Sequence, residues 1–291
     1  MKITVIGKGS YGKAIGSLLL ENKITFSYVD VDLPMTTIAD VVLLTVPAQF
    51  IREVLRENKK FFHKRTIFIN CSKGIEEKTH LLPFQVFKEE LSSNHYYSLV
   101  GPSFAEEVMD NNPTLVSLGY HKGTHVDRIK KLLQTKYFRI KEVEGLEAIE
   151  LAAALKNVYA ILCGYADGLG YGINTRAKII TLALGEFAVL AKRSGFPYRS
   201  LAEPAIVGDL VLTCSSRESR NYRFGFYLSQ MSSKKALKKV ASTVEGFYTS
   251  HSIRAVATKY KISLPLAFLT HYIIENGKTS INRFHEVVSK M

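Results

Sequence analysis

Lys2-Ile3-Thr4-Val5-Ile6-Gly7-Lys8-Gly9-Ser10-Tyr11-Gly12 decides how the first half of this chain folds. The apolar run ending at Ile6 reads as a buried strand. Glycines interrupt it at once, and Ala14, Ile15, Leu18 and Leu19 then recur at helical spacing. Strand, glycine turn and helix in that order open a dinucleotide-binding βαβ unit. Gly7 allows the tight turn, Gly9 lets the backbone approach a pyrophosphate, and Gly12 lets helix and strand pack closely. The helix N-terminus supplies donors to the anion. Glycines alone also make loops, so it is their place between a first strand and a first helix that carries the signal.

Strand and helix signals then alternate. Residues 25–29, 41–44, 66–70, 96–100 and 114–118 read as strands, and 50–58 and 81–91 as helices. The β-branched and aliphatic runs suit strands buried on both faces, which predicts a mostly parallel sheet covered by helices. Asp30 falls just past the second strand, near the distance at which a carboxylate accepts hydrogen bonds from an adenosine ribose, and Asp32 competes for that role. A negative charge there repels a 2′-phosphate, so NAD is expected over NADP. Residues 30–40 are too few for a comfortable helical crossover to the next strand.

From Gly145 onward the strand signal fades and helical periods take over. With 291 residues, more than one small core supports, the expected organisation is an α/β Rossmann-type domain over residues 1–144 followed by an all-α domain over 145–291. A composition of 46% hydrophobic and 22% charged residues is that of an ordinary soluble protein, and no apolar stretch is long enough for a signal peptide or membrane span. A cytoplasmic protein without integral membrane association is expected. Cys71, Cys163 and Cys214 lie far apart, which argues against a disulfide framework and a zinc site, and no metal is expected. The net charge of +13 is spread along the chain without an aromatic-interleaved basic stripe, so acidic small molecules are better candidate ligands than nucleic acid.

Within the helical half, Lys156 stands among Ala152, Ala153 and Ala160, small neighbours that leave a long cation room to bend inward. A buried lysine has a depressed pKa and becomes a usable proton donor or acceptor. Two strand ends add further polar groups. Lys73 follows the 66–70 strand, and Gly101 and Ser103 follow the 96–100 strand, with Ser103 read as the start of a helix. Further on, Asp209 can orient a hydroxyl or Lys156, and Ser219-Arg220-Asn221 places a guanidinium suited to bidentate phosphate capture beside an amide.

Taken together, Gly7 through Gly12, Lys73-Gly74-Ile75-Glu76, Gly101 through Ala105, the stretch from Glu150 to Ala160, Asp167 through Gly170, Asn174-Thr175, Gly208 through Ser216 and Ser219-Arg220-Asn221 resemble the soluble NAD(P)-dependent glycerol-3-phosphate dehydrogenases over nearly the whole chain. The resemblance implies a helical second domain like the C-terminal domain of 6-phosphogluconate dehydrogenase, a homodimer, and interconversion of sn-glycerol 3-phosphate and dihydroxyacetone phosphate that feeds glycerophospholipid synthesis. It further implies Lys156 as the proton-transferring lysine and Lys73 as a cofactor- and substrate-contacting one, both catalytic together with Asp209. Substrate-binding positions would be Lys73, Gly101, Ser103, Lys156, Asp209, Ser219, Arg220 and Asn221. Cofactor-binding positions would be Ser10, Tyr11, Lys73, Ala105, Arg220 and Glu245, beside the glycine loop and Asp30. Two other readings compete: a dinucleotide-binding homologue without turnover, and a related 3-hydroxy acid dehydrogenase.

Overall fold

The computed structural model describes residues 1–91, 95–121, 123–194 and 201–291. These form two compact units, one of Met1–Lys73 with Leu81–Glu150 and the other of Gly74–His80 with Leu151–Met291.

The first unit is an α/β layer structure. Strand β1 (Ile3–Ile6) leads through helix α1 (Ser10–Glu21) to β2 (Ser27–Val29), and β3 (Ala39–Leu44) through α2 (Ile51–Glu57) to β4 (Phe62–Asn70). Helix α3 (Pro83–Glu90), β5 (His95–Val100), α4 (Ala105–Met109), β6 (Thr114–Tyr120), α5 (Val126–Leu133) and β7 (Phe138–Glu144) follow. The strands form one seven-stranded sheet in the order β2-β1-β3-β4-β5-β6-β7. All neighbours are parallel except β5 and β6. Alternate residues of the central strands enter two separate cores. Val41 and Leu43 join Ile15 and Leu18 of α1 on one face, whereas Val42 and Leu44 join Leu55 of α2 and Phe87 of α3 on the other. Because both faces are buried, the strands are continuously apolar.

The crossover from β2 to β3 contains no helix. Asp30 and Leu33 instead exchange backbone hydrogen bonds of 3.0 and 2.9 Å, and Met35 is buried while Val31 and Ile38 face solvent. Strand β7 was not expected from the sequence. Phe138, Ile140 and Val143 are buried between exposed neighbours, the mixed pattern of an edge strand.

Glu150 ties the ends of several elements together. Its Oε1 accepts hydrogen bonds from the Tyr96 hydroxyl at 2.6 Å, the Ser98 hydroxyl at 3.0 Å and the Asn70 amide at 3.1 Å. Its Oε2 accepts from the backbone N–H of Phe84 at 2.9 Å, in the first turn of α3. One side chain thus satisfies a helix terminus and fastens two strands.

The second unit is helical, with α6 (Leu146–Gly168) from Leu151 onward, α7 (Ile173–Ser194), α8 (Asp209–Ser215), α9 (Arg220–Leu228), α10 (Ser233–Val240), α11 (Glu245–His251), α12 (Ile253–Tyr260), α13 (Pro265–Asn276) and α14 (Ile281–Lys290). Helix α6 is buried on every side from Ile149 to Cys163, as a central helix must be when it is apolar all round. It lies so close to α9 that a Cβ at Gly225 would stand 1.9 Å from the Ile161 carbonyl oxygen, and one at Gly164 would stand 1.9 Å from that of Tyr222. The Glu186 carboxylate accepts from the Tyr159 hydroxyl at 2.7 Å and from the Leu266 N–H at 2.6 Å, which caps α13.

Burial raises the Glu150 carboxyl from its ordinary 4.5 to about 7, against the pull of its four donors. The folded state therefore holds a proton that the unfolded chain releases. Glu150 contributes full stability below about pH 4.5 and loses it as the pH rises through about 7, on the order of 3 kcal/mol. Chemical denaturation of the wild type and of Glu150→Gln at pH 4.5, 6 and 7.5 should show the advantage of glutamate shrinking by about that amount. A difference that stays constant across the series would exclude the shift.

Candidate active site

In the first unit the glycine loop is built as the sequence reading requires. Gly7 has φ of 101° and its N–H donates to Val29 O at 2.8 Å, so only glycine enters this turn without strain. A Cβ at Gly12 would stand 2.0 Å from Gly7 O, whereas a Cβ at Gly9 would meet no atom within 4 Å. Packing therefore explains Gly12, whereas Gly9 borders open space. The space above Gly9, at the N-terminus of the twelve-residue helix α1 that begins with Ser10, fits a pyrophosphate. Asp30 is exposed at the end of β2. Its Oδ2 accepts from the Lys8 N–H of the loop at 2.8 Å and its Oδ1 from its neighbour Val31 at 2.9 Å.

A second cluster joins residues from three parts of the sequence. Lys73 Nζ donates to Gly101 O at 3.0 Å, and the Ser103 hydroxyl donates to the same oxygen at 3.1 Å. The Tyr11 and Ser103 hydroxyls are 3.0 Å apart. Tyr11, Lys73, Gly101 and Ser103 are thereby brought together. Ala105 follows as the first residue of α4; Ser103 lies two residues ahead of that helix and does not begin it. Its hydroxyl is turned to Tyr11 and Gly101 instead of capping. Cys71, two residues before Lys73, is buried, and desolvation pushes its thiol up to about 12, which leaves it an inert core group.

In the helical unit Lys156 is inside, with its side chain 6% exposed and that of its partner Asp209 1% exposed. Lys156 Nζ donates to Asp209 Oδ1 and to Thr213 Oγ1, each at 2.6 Å. Thr213 Oγ1 in turn donates to the backbone oxygen of Asp209 at 2.6 Å. A π-helical turn at Pro204–Gly208 precedes α8 and delivers Asp209 as its first residue. Such turns replace the regular ladder where a side chain must be aimed. Of the two partners open to Asp209, a hydroxyl and Lys156, the structure shows Lys156.

The remaining residues serve the same neighbourhood differently. Asn221 Nδ2 donates to Asn157 Oδ1 at 2.9 Å, and Asn221 Oδ1 accepts from the Gly246 N–H at 2.8 Å, joining α9, α6 and α11. Ser219 caps α9 by accepting from the Tyr222 N–H at 3.2 Å. Arg220, the first residue of that helix, points to solvent, and Glu245 is buried at the start of α11. Sequence reading missed Thr213 and Asn157. Thr213 stands four residues after Asp209 on one helix face, a spacing that could have found it.

The chain was compared with known proteins. The model of the NAD-dependent glycerol-3-phosphate dehydrogenase N-terminus matches residues 28–126, and that of the C-terminus matches residues 146–284. A glycerol-3-phosphate dehydrogenase (NAD(P)+) of Thermoanaerobacter sp. (strain X514) is 31% identical over 100% of this chain and 97% of its own length. The protein of the same name from Bacillus subtilis (strain 168) is 34% identical over 82% of this chain and 71% of its own. Among solved structures, glycerol-3-phosphate dehydrogenase from Coxiella burnetii superposes with a TM-score of 0.90 at 27% identity, over 99% of this chain and 98% of that one. In its two domains and in its full-length relatives, the chain belongs to the NAD-dependent glycerol-3-phosphate dehydrogenase family.

Proposed function

We propose that the protein interconverts sn-glycerol 3-phosphate and dihydroxyacetone phosphate with NAD(H) or NADP(H), and so supplies or consumes a precursor of glycerophospholipids. The observation that carries this reading is the buried Lys156, fixed by Asp209 and Thr213 at 2.6 Å in a chain of this family. When bound, the nicotinamide supplies the hydride to the carbonyl carbon, or accepts it in the other direction.

The chain's own residues do the rest. Ketone reduction builds negative charge on the carbonyl oxygen, and an ammonium that also gives up a proton both stabilises that charge and completes the alcohol. Lys156 takes this role, releasing its proton to the alkoxide during reduction and recovering one from the hydroxyl during oxidation. Asp209 and Thr213 hold Nζ in place, which removes the entropic cost of positioning a flexible side chain. Arg220 clamps the substrate phosphate through paired N–H donors, with Ser219 and Asn221 beside it. In the first unit, Lys73, Gly101 and Ser103 are the proposed substrate-binding positions. Gly7, Gly9, Ser10, Tyr11 and Gly12 receive the dinucleotide, with Ala105 and Glu245 among the other cofactor positions. A homodimer acting in the cytoplasm belongs to the same reading.

Lys156→Met should lower kcat by about 10²- to 10⁴-fold, the usual contribution of a general acid, while NADH binding measured by fluorescence is retained. Removing one partner of a buried pair also costs about 3–5 kcal/mol of stability, so the variant should melt earlier. A folded Lys156→Met protein with wild-type kcat would refute the assignment.

Asp30 supports NADH as the preferred reductant, since its exposed carboxylate sits at the glycine loop. The ratio of kcat/KM for NADH to that for NADPH should exceed unity and fall on the order of tenfold in Asp30→Asn, equivalent to about 1.4 kcal/mol. An unchanged ratio in that variant would remove Asp30 from cofactor selection.

A further inference from the structure

The helical unit contains a cluster that the dehydrogenase chemistry does not use. His251 is the last residue of α11, and His271 and Glu275 lie on α13, four positions apart and therefore on one face. A ligand atom from each of the three lies within 4.8 Å of the other two. His251 Nε2 is 3.6 Å from Glu275 Oε1, and the two imidazole rings meet at 5.6 Å between centroids. Behind this cluster stands Glu77, whose Oε1 is 2.5 Å from His251 Nδ1.

We infer that His251, His271 and Glu275 bind a divalent transition-metal ion of the zinc class, with Glu77 orienting His251 from behind. A carboxylate on one ring nitrogen of a histidine fixes the tautomer and aims the other nitrogen at the ion, the arrangement of metal-bound imidazoles generally. Two imidazoles and one carboxylate form the three-ligand set of an open tetrahedral site whose fourth position takes water. Nitrogen-rich ligation favours zinc, cobalt, nickel and copper, whereas calcium and magnesium need more oxygens than the cluster holds. Bonds of about 2.0–2.1 Å in a tetrahedron separate neighbouring donor atoms by about 3.3 Å, so the cluster must contract modestly. Glu275 is exposed and His251 and His271 are partly exposed.

Charge around the cluster is mixed. Arg254 lies near the His271 ring, and Glu275 lies near both histidines. The segment carrying Glu77 is also held by His80, whose Nδ1 is 2.9 Å from the Ser252 hydroxyl. An ion would therefore clamp Gly74–His80, α11 and α13 as one body. None of the four residues is assigned to substrate or dinucleotide, so the ion is structural or regulatory and not a reactant.

Full-length protein stripped with a chelator is titrated with ZnCl₂ by calorimetry and with CoCl₂ by visible absorption, in excess Mg²⁺. The expected result is one equivalent of Zn²⁺, the intense ligand-field bands of tetrahedral Co²⁺, and a Zn²⁺-dependent rise in melting temperature. Glu275→Gln, at an exposed position that leaves folding intact, and His271→Gln should lose the bands. Glu77→Gln should keep the stoichiometry and weaken Zn²⁺ binding about 10- to 100-fold. Failure to take up one equivalent, or uptake that is the same in folded Glu275→Gln and His271→Gln, would overturn the site and leave the cluster as an ion-pair network, without bearing on the proposed dehydrogenase activity.

Discussion

A charged ammonium inside a helical core is tolerated only when its partners are in place, and the pair formed by Lys156 and Asp209 imposes that requirement on the second unit. Both side chains are almost fully withdrawn from water, with Thr213 as the second acceptor. Desolvating two ions costs several kcal/mol each, which hydrophobic residues of similar volume would avoid, so stability alone does not account for the pair. Chemistry does. A lysine anchored at 2.6 Å by two acceptors is aimed, and an aimed acid is what ketone reduction uses.

The surrounding architecture holds that one nitrogen in place. Alanines at 152, 153 and 160 keep the neighbouring turns of α6 small. The π turn at Pro204–Gly208 presents Asp209 at the start of α8, and glycines at 164 and 225 let α6 and α9 touch backbone to backbone. The amides of Asn157 and Asn221 then lock α9 and α11 to α6 beside the lysine. In the first unit the same economy holds at the glycine loop, where Gly7 and Gly12 are demanded by the backbone while Gly9 borders open space.

Much of this was legible in the residues because the signals were local. A strand, a glycine turn and a periodic helix are contiguous, so β1 and α1 follow from Lys2 to Leu19 alone. Lys156 stood out because an apolar helix seldom carries one cation among alanines. What depended on distant partners was not legible. Glu150 has no local mark of its role, yet it meets Asn70, Phe84, Tyr96 and Ser98, residues 52 to 80 positions away. Thr213 was hidden because its four-residue spacing from Asp209 gains meaning only when Lys156, 57 positions away, is brought to both. The edge strand β7 was missed because its charged outward residues mask the alternation, and Gly74–His80 gave no sign of belonging with the helical unit. The histidines at 251 and 271 were passed over for the same reason: twenty residues of chain separate groups that folding brings to one face.

The claim on which the account turns is that Lys156 moves a proton. Chemical rescue tests it most directly: turnover of dihydroxyacetone phosphate by Lys156→Ala, measured as NADH oxidation, with small primary amines of graded pKa added to fill the space left by the side chain. The account predicts low turnover without amine and a recovery that saturates with amine and varies systematically with its pKa. A folded, NADH-binding Lys156→Ala protein that turns over at the wild-type rate, or one that no amine restores while substrate still binds, would contradict it.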